Sequence, residues 1–269
     1  MDINDLIWNP WHGCHKYSEW CQNCFAFFLD KRYGRDTNTV VINKSWFDAP
    51  IKKDREWNYK MKSWSFIRVC MASDFFIQEA DEWRDDAREI IKKRPDMTFS
   101  LLTKRADRIL DHLPKDWWDM YDNVCFAVSC ENQIRADERI PYLLKVPTKH
   151  RWISLKPFIW EIDLERYLST WEIETVLAWG ENYLWSRPLH YEWVEKISQQ
   201  CKKYNVEFIF AQTGNIFVKE WVEYKIHNRT DQQIQALKAD LSYPPKNIDE
   251  EINKIMEKKK MMKEKRNCN

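Results

Sequence analysis

Three cysteines lie within eleven positions near the start of the sequence, at Cys14, Cys21 and Cys24, with the spacing C-x6-C-x2-C. A Cys-x2-Cys pair that leads into a helix can direct both sulfurs to one point, and the third thiol can approach across the six-residue loop. Three thiolates are one short of a closed structural zinc site, and they suit an iron–sulfur cluster that leaves one iron open. The spacing alone leaves three interpretations: an iron–sulfur cluster, a zinc ion completed by His12 or His15, or three neighbouring thiols without metal.

Short apolar segments recur along the chain, and most precede a segment with helical periodicity. Strands are predicted at 6–8, 66–71, 98–102, 124–128, 151–155, 175–179 and 206–210, and helices at 25–33, 79–93, after 105, at 133–145 and at 191–204. This alternation predicts a parallel sheet built from βαβ units. A spacing of roughly 25 to 30 residues per unit predicts an α/β fold of the complete or partial (β/α) barrel type. A doubly wound open sheet is the alternative.

Polar or chemically active residues follow nearly every predicted strand. They are Ser73, Asp74, Thr103, Lys104, Ser129, Glu131, Asn132, Lys156, Glu181, Asn182 and Gln212. In a parallel barrel these strand ends lie on one face, and that face carries the chemistry. Any single pair of this kind is usually a helix cap or a turn. Six successive polar strand ends beside a three-thiol loop predict a functional site there.

The charge balance gives no overall attraction to nucleic acid or membrane, because 43 basic residues face 42 acidic ones. No secretory signal is expected at the start, and no apolar run approaches the roughly 18 residues of a membrane span. We therefore expect a cytoplasmic protein whose cysteines are thiols or metal ligands. A barrel-like domain is predicted over 1–240. Residues 241–269 form a basic, helix-prone tail, which is either an arm for nucleic acid or a partner, or a partly disordered terminal helix.

The composition combines sixteen tryptophans with only four glycines. Because tryptophan is large and carries one N–H donor, many of the rings are expected in the core or lining a cleft. Among the remaining cysteines, Cys70 and Cys125 are predicted as buried packing residues inside strands. Cys201 is predicted on a helix surface.

Several segments together resemble the three-cysteine-motif family of phage and bacterial proteins, which is related to radical S-adenosylmethionine enzymes. The resemblance covers residues 5–220 and rests on Trp-Asn-Pro-x-x-Gly-Cys…Cys-x-x-Cys from residue 8, Ser-Asp-Phe-Phe from 73, Leu-Leu-Thr-Lys-Arg from 101, Val-Ser-x-Glu-Asn-Gln from 128, Ala-Asp-Glu-Arg-Ile-Pro from 136 and Ser-x-x-Pro from 154. It implies a barrel of the radical-S-adenosylmethionine type with a [4Fe–4S] cluster on Cys14, Cys21 and Cys24. It also implies a companion, the three-Cys-motif partner protein, which is often encoded beside such proteins.

The resemblance also implies S-adenosylmethionine as a second cofactor, cleaved by one electron from the cluster to give a 5′-deoxyadenosyl radical. The implied cofactor-binding residues are Ser73 and Asp74 for the ammonium, Lys104 or Lys156 for the carboxylate, Ser129, Glu131 and Asn132 for the ribose, and Trp179 for the adenine. Lys156 and Glu181 are the candidate catalytic residues.

The sequence departs from the family pattern at four places. The first cysteine gap is six residues, where radical S-adenosylmethionine enzymes usually have three. The family's Ser-x-Glu-Pro is Ser-Leu-Lys-Pro here, so Lys156 reverses a charge on the predicted active face. Trp179 stands where the family has the first glycine of Gly-Gly-Glu, and the family's Lys-Gln-Trp-Gly is Ala-Gln-Thr-Gly from residue 211. These changes indicate an altered substrate or weakened chemistry.

Two functions of different classes follow. The first is a radical-S-adenosylmethionine-like iron–sulfur enzyme acting on a macromolecule, with nucleic acid favoured by the basic tail and the abundant aromatic residues. The second is a non-catalytic, zinc-stabilised binding protein that uses the same three cysteines plus His12 or His15. A member that keeps the cluster but does not cleave S-adenosylmethionine is a third possibility.

Overall fold

The computed structural model describes residues 5–117, 121–183 and 185–267, and the chain there alternates between strands and helices. The strands are β1 (Asp5–Trp8), β2 (Trp11–His12), β3 (Val41–Ile42), β4 (Phe66–Val69), β5 (Thr98–Thr103), β6 (Val124–Ser129), β7 (His150–Leu155), β8 (Thr175–Trp179), β9 (Leu189–His190), β10 (Glu207–Gln212), β11 (Ile216–Lys219) and β12 (Val222–Lys225). The helices are α1 (Phe25–Arg32), α2 (Asp81–Lys92), α3 (Gln133–Lys145), α4 (Glu165–Leu168), α5 (Tyr191–Lys203), α6 (Arg229–Lys238) and α7 (Ile248–Asn267).

Seven strands form the main sheet in the order β1-β4-β5-β6-β7-β8-β10. The pairs β1–β4, β4–β5, β5–β6 and β8–β10 are parallel. The predicted α/β fold with a parallel sheet is therefore confirmed. The order follows the chain without the reversal that defines a doubly wound sheet. It is the strand order of a partial (β/α) barrel.

Contacts within the chain divide it into two compact units. The first comprises residues 1–129 and 138–152, and the second comprises 130–137 and 153–269. Strands β1, β4, β5 and β6 belong to the first unit. The second contains β8, β10 and a small sheet with the order β12-β11-β9. It also contains α7, so the basic tail is helical over Ile248–Asn267.

Aromatic side chains fill the core of the first unit. Trp8 lies edge-to-face against Phe99 with ring centroids 5.9 Å apart, and Trp11 lies 5.3 Å from Phe75. Strand β6 is buried along its whole length, as expected for a strand inside a parallel sheet. The predicted burial of Cys70 and Cys125 is confirmed. This packing fixes the carboxyl ends of β1, β4 and β5, where the cysteine loop attaches.

One local prediction was confirmed in part and another was wrong. The helical segment predicted after β5 consists of two short 3₁₀ helices, Ala106–Arg108 and Leu110–His112, with no α-helix between them. Cys201 is fully buried rather than on a helix surface. It shares the inner face of α5 with Val194 and Ile197, at the i, i+3, i+7 spacing of an amphipathic helix.

The expected burial of the tryptophans holds for only part of the set. Trp8, Trp11, Trp117 and Trp179 are buried. Seven others are between 46% and 96% exposed: Trp46, Trp57, Trp64, Trp160, Trp171, Trp185 and Trp221. Several of these occur where the chain turns, and four of them have positive φ.

No helix in the described ranges is long and apolar enough to cross a membrane.

Candidate cysteine site of the first unit

The first cysteine is placed by a glycine that has no room for a side chain. Gly13 has φ of 98°, and a Cβ atom there would lie 2.4 Å from the carbonyl oxygen of Thr39. Its N–H donates to the carbonyl of Ala72, just after β4, at 3.3 Å. The N–H of Cys14 donates to the carbonyl of Thr37 at 2.7 Å. The backbone around Cys14 is therefore held on both sides by neighbouring loops.

The Cys-x2-Cys pair lies at the entrance of α1, as the sequence predicts. Cys24 is the residue that precedes the helix, and the N–H groups of Ala26 and Phe27 donate to its sulfur. Cys21 lies in a 3₁₀ turn, and its sulfur accepts from the N–H of Tyr17 at 3.5 Å. Backbone N–H groups directed at sulfur stabilise the thiolate form, which is the form that binds metals.

The three thiols differ in their readiness to ionise. Burial, the charge of Asp74 and the neighbouring Cys24 and Cys21 together raise the pKa of Cys14 to about 12, although Arg105 acts in the opposite direction. Burial also raises the pKa of Cys24. Burial opposes ionisation of Cys21 too, but N–H groups of Ser18 and Tyr17 and the Lys104 ammonium hold its pKa below the ordinary value. The three sulfurs are thus close enough to influence one another's charge.

Asp74 is the centre of the hydrogen bonds beneath the cysteine loop. Its Oδ1 accepts from the N–H of Phe76 at 2.9 Å and from Thr103 Oγ1 at 2.7 Å. Its Oδ2 accepts from the N–H of Lys104 and from Arg105 Nη1, both at 3.1 Å. These four donors match the roughly four lone-pair positions of a carboxylate. Asp74 therefore connects the end of β4 to the end of β5.

Arg105 joins Asp74 to the cysteine loop. Its guanidinium is buried, makes an ion pair with Asp74 at 3.1 Å and lies 4.0 Å from the sulfur of Cys14. It also donates to the carbonyl of His15 at 3.1 Å and lies over the ring of Tyr17, 5.0 Å from its centroid. One side chain thus contacts the loop at Cys14, His15 and Tyr17 and places a positive charge beside Cys14.

Lys104 contributes a second positive group to the same region. Burial, together with the nearby charge of Arg139, lowers the pKa of its ammonium to about 8. Cys21, Cys24 and Asp74 oppose that effect. The ammonium is therefore close to two of the thiols.

Two predicted serines have mainly structural contacts. Ser73 Oγ donates to the carbonyl of Gly13, which ties the end of β4 to the loop. Ser129 ends β6, and its carbonyl accepts from Arg139 Nη1 at 2.6 Å. Both residues lie at strand ends of the first unit, as predicted.

Each of the two candidate histidine ligands bonds to a carboxylate. His12 Nε2 lies 2.8 Å from Asp30 Oδ2, and His15 Nε2 contacts Glu79. A zinc ion would therefore have to take Nδ1 of either ring. Within the described residues no group of three or more His, Cys, Asp or Glu side chains is arranged to hold a single metal ion.

The candidate catalytic residues belong to the second unit. Lys156 Nζ lies over the ring of Trp179, 4.6 Å from its centroid. Glu181 is buried and pairs with Arg187, which donates through Nε at 2.9 Å, through its backbone N–H at 2.8 Å and through Nη2. The carboxylate of Glu181 thus accepts three hydrogen bonds from a residue that was not predicted.

Two further strand-end residues also lie in the second unit. Asn132 precedes α3, and its Oδ1 accepts from the N–H of Arg135 at 2.9 Å, which is the geometry of a helix cap. Glu131 is fully buried. The ribose-binding roles of Glu131, Asn132 and Ser129 stay predictions.

The sequence pattern missed the residues that support the thiols. Arg105 and Tyr17 were not assigned to the site, although Arg105 ends the Leu-Leu-Thr-Lys-Arg segment, and Thr103 was predicted only as a polar residue at a strand end. The available signal was a second basic residue directly after Lys104, at the same predicted strand end. Only the register of β4 and β5 shows that Arg105 reaches Asp74.

The residues around the three cysteines provide donors and positive charge, which suit an anionic group held by thiolates. Each cysteine has a donor beside its sulfur: Arg105 for Cys14, Tyr17 N–H for Cys21, and the first N–H groups of α1 for Cys24. Hydrogen bonds to sulfur and nearby charge are the protein's means of adjusting an iron–sulfur cluster. The donor set is therefore suited to a cluster with three protein ligands.

A comparison with protein families matches residues 2–265 to the family described as Protein of unknown function (DUF5131). No curated protein and no solved structure matches the chain. The match spans nearly the whole chain, including the cysteine loop.

Proposed function

The chain belongs to the DUF5131 family of unknown function, and we propose that it is a radical-S-adenosylmethionine-like enzyme whose Cys14, Cys21 and Cys24 hold a [4Fe–4S] cluster. The observation that carries the proposal is that Cys14, Cys21 and Cys24 lie close enough for their charges to interact and that each has a hydrogen-bond donor at its sulfur. The resemblance to the three-cysteine-motif family and a barrel of the radical-S-adenosylmethionine type are part of the same proposal.

The chain's own residues have distinct tasks in this proposal. The three cysteine thiolates would hold three irons of a [4Fe–4S] cluster, and such a cluster would supply one-electron chemistry toward S-adenosylmethionine. Arg105 offsets the negative charge at Cys14 and holds the loop through the carbonyl of His15. Gly13 allows the loop to approach the backbone of Thr39, just before β3.

The proposed cofactor-binding residues differ in the contacts that they already make within the protein. Asp74 already accepts four hydrogen bonds, so an ammonium group would compete with donors in place. Lys104 carries a positive charge near the thiols and is the proposed partner of the methionine carboxylate. Ser73, Ser129, Glu131, Asn132 and Trp179 are proposed contacts for the remainder of the cofactor. Lys156 and Glu181 stay the proposed catalytic residues.

The proposed substrate is a macromolecule, with nucleic acid as the first candidate, and a three-Cys-motif partner protein is the proposed companion. The support for nucleic acid is the run of lysines on α7 between residues 254 and 265. Basic segments bind phosphates largely independently of sequence.

The test is metal analysis with an ultraviolet–visible spectrum of anaerobically purified protein. We expect about four irons per chain and visible absorption, both lost in Cys21→Ala. Cys201→Ala is the matched control, because Cys201 is buried in α5 of the second unit and should leave the iron content unchanged. Adding S-adenosylmethionine should perturb the electron paramagnetic resonance signal of the reduced protein. Iron content that is the same in Cys21→Ala and the wild type would refute the cluster.

A second candidate is a zinc-stabilised binding protein, and the observation that favours it is the pairing of His12 with the buried Asp30. Metal-binding histidines usually bond to a carboxylate through the ring nitrogen that does not bind the metal. One zinc per chain, lost in His12→Ala or His15→Ala, would establish this candidate. Iron retained in both histidine variants would exclude it.

A further inference from the structure

A further inference concerns Arg105 at the same cysteine site, and this inference rests on the proposed cluster. We propose that Arg105 sets the reduction potential of the group bound by Cys14. Its guanidinium lies between the Asp74 carboxylate, 3.1 Å away, and the Cys14 sulfur, 4.0 Å away. Arg105 and Asp74 are both buried, so water screens their charges weakly.

The physical effect follows from charge balance. Reducing a cluster adds a negative charge, and a buried cation beside a ligand sulfur favours that added charge. Without Arg105, the Asp74 carboxylate stays near Cys14 with no counter-charge from the guanidinium. The potential should then fall. Arg105 is in this sense a positioning residue, since it acts through Cys14.

The experiment measures the midpoint potential and the iron content of Arg105→Gln, Arg105→Lys and the wild type. We expect a lower potential in Arg105→Gln and a potential near the wild-type value in Arg105→Lys, which keeps the charge. Arg108→Gln is the matched control, because Arg108 donates to the carbonyl of Phe76 and to Asp81 rather than to a cysteine. Equal potentials in Arg105→Gln and the wild type, or an equal fall in Arg105→Lys, would overturn the inference. A wild-type protein without iron would instead refute the proposed cluster.

A separate observation concerns the exposed tryptophans. Four of the eight non-glycine residues with positive φ in the described ranges are tryptophans: Trp57 at 64°, Trp64 at 60°, Trp171 at 62° and Trp221 at 66°. All four are exposed, at 80%, 85%, 69% and 96% respectively. The left-handed region costs a residue with a Cβ roughly 1–2 kcal/mol and is the ordinary place of glycine. A bulky aromatic residue there is a marked exception.

Two of these tryptophans occupy positions in local structures where glycine is the usual residue. Glu220 and Trp221 form the two-residue connection between β11 and β12, and both have positive φ. Such a hairpin turn favours glycine at its second position. Trp171 follows the end of α4, and its N–H donates to the carbonyl of Leu168 at 3.1 Å. A left-handed residue just after a helix is usually glycine as well.

The amino-acid composition is likewise poor in glycine and rich in tryptophan. Four glycines in 269 residues compare with about 19 at the average usage of about 7%. Sixteen tryptophans accompany this deficit. We infer that Trp57, Trp64, Trp171 and Trp221 are glycine positions, encoded by UGA, a codon that genetic codes variously read as stop, tryptophan or glycine. The producing cell would then insert glycine at all four.

The gene gives the first test. We expect UGA at these four codons and UGG at the codons of the buried Trp8 and Trp11. UGG at the four exposed positions would overturn the inference.

Stability gives the second test. The variant with all four tryptophans changed to glycine should have a higher Tm than the protein that carries tryptophan at these positions, because glycine enters the left-handed region without steric cost. The matched control changes the same four residues to alanine, which removes the rings but keeps each Cβ. A glycine variant no more stable than the alanine variant would contradict the conformational basis of the inference.

Discussion

At the scale of single residues, Asp74 has the most connections in the cysteine site. It was predicted to hold a ligand, and the structure gives it four protein donors, including the buried Arg105. A carboxylate that pairs with a buried guanidinium is important for stability, because removing one partner leaves the other charge buried without compensation. The residue therefore stabilises the loop that presents Cys14.

We expect Asp74→Asn to lower the free energy of unfolding by about 3 kcal/mol, because Arg105 would remain buried without its counter-charge. Urea unfolding at pH 7 measures the change. Asp111→Asn, at an exposed position, is the control and should change stability little. A loss in Asp74→Asn no larger than in the control would show that Asp74 is not the support that its contacts indicate.

At the scale of elements, the end of α2 is attached to the neighbouring loops by one buried arginine. Arg94 is fully buried, makes two hydrogen bonds to Asp96 and donates to the carbonyls of Pro50 and Met61. It also lies over the ring of Tyr59, 4.0 Å from its centroid. These contacts hold the long segment between β3 and β4 against the start of β5.

The pairing of Arg94 with Asp96 predicts that the stability of the fold depends on pH. The hydrogen bonds from Arg94 lower the pKa of Asp96 to about 2, whereas an unfolded chain has about 3.9. The carboxylate therefore stabilises the fold above about pH 4, by about 2 kcal/mol, and this contribution is lost as the pH falls through about 2. Asp96→Asn should be less stable than the wild type at pH 7, and the difference should shrink as the pH falls below about 4 and disappear below about 2. A difference independent of pH in denaturant titrations would contradict the assignment.

A second prediction at this scale concerns Gly180 at the end of β8. A Cβ there would lie 2.2 Å from the carbonyl oxygen of Thr213 and 2.9 Å from the Cα of Gly214, both of which are backbone atoms. We expect Gly180→Ala to cost about 3 kcal/mol, because the backbone must move. Gly34→Ala is the control: Gly34 has φ of 65° and open space around it, so its cost should be about 1 kcal/mol. Equal costs in thermal unfolding would contradict the close approach at Gly180.

At the scale of the whole molecule, charge is distributed unevenly despite a formal net charge of +1. Six basic residues lie between residues 258 and 266, all of them on α7, against one glutamate. In the proposed function this helix supplies phosphate contacts, which are strongly dependent on salt because counterions are released.

Changing Lys258–Lys260 to glutamine should weaken binding of a labelled single-stranded oligonucleotide and reduce the dependence of affinity on salt, by a slope of about 2 to 3. Fluorescence anisotropy at several salt concentrations measures both quantities. The same change at the lysines at 53, 60 and 62 is the control. Equal effects of the two triple variants would mean that α7 is not a specific phosphate contact.

The amino-acid sequence by itself determined the seven strands of the main sheet and helices α1, α2, α3 and α5, because apolar runs and helical periodicity are local properties. It also determined that Cys21 and Cys24 lie at the entrance of α1, since their spacing is three residues. Tertiary structure alone decided the partners of the buried charges. Asp74 meets Arg105 only through the register of β4 with β5, and Glu181 meets Arg187 through the turn after β8. Such pairings depend on which segments come together in space, and no local pattern specifies them.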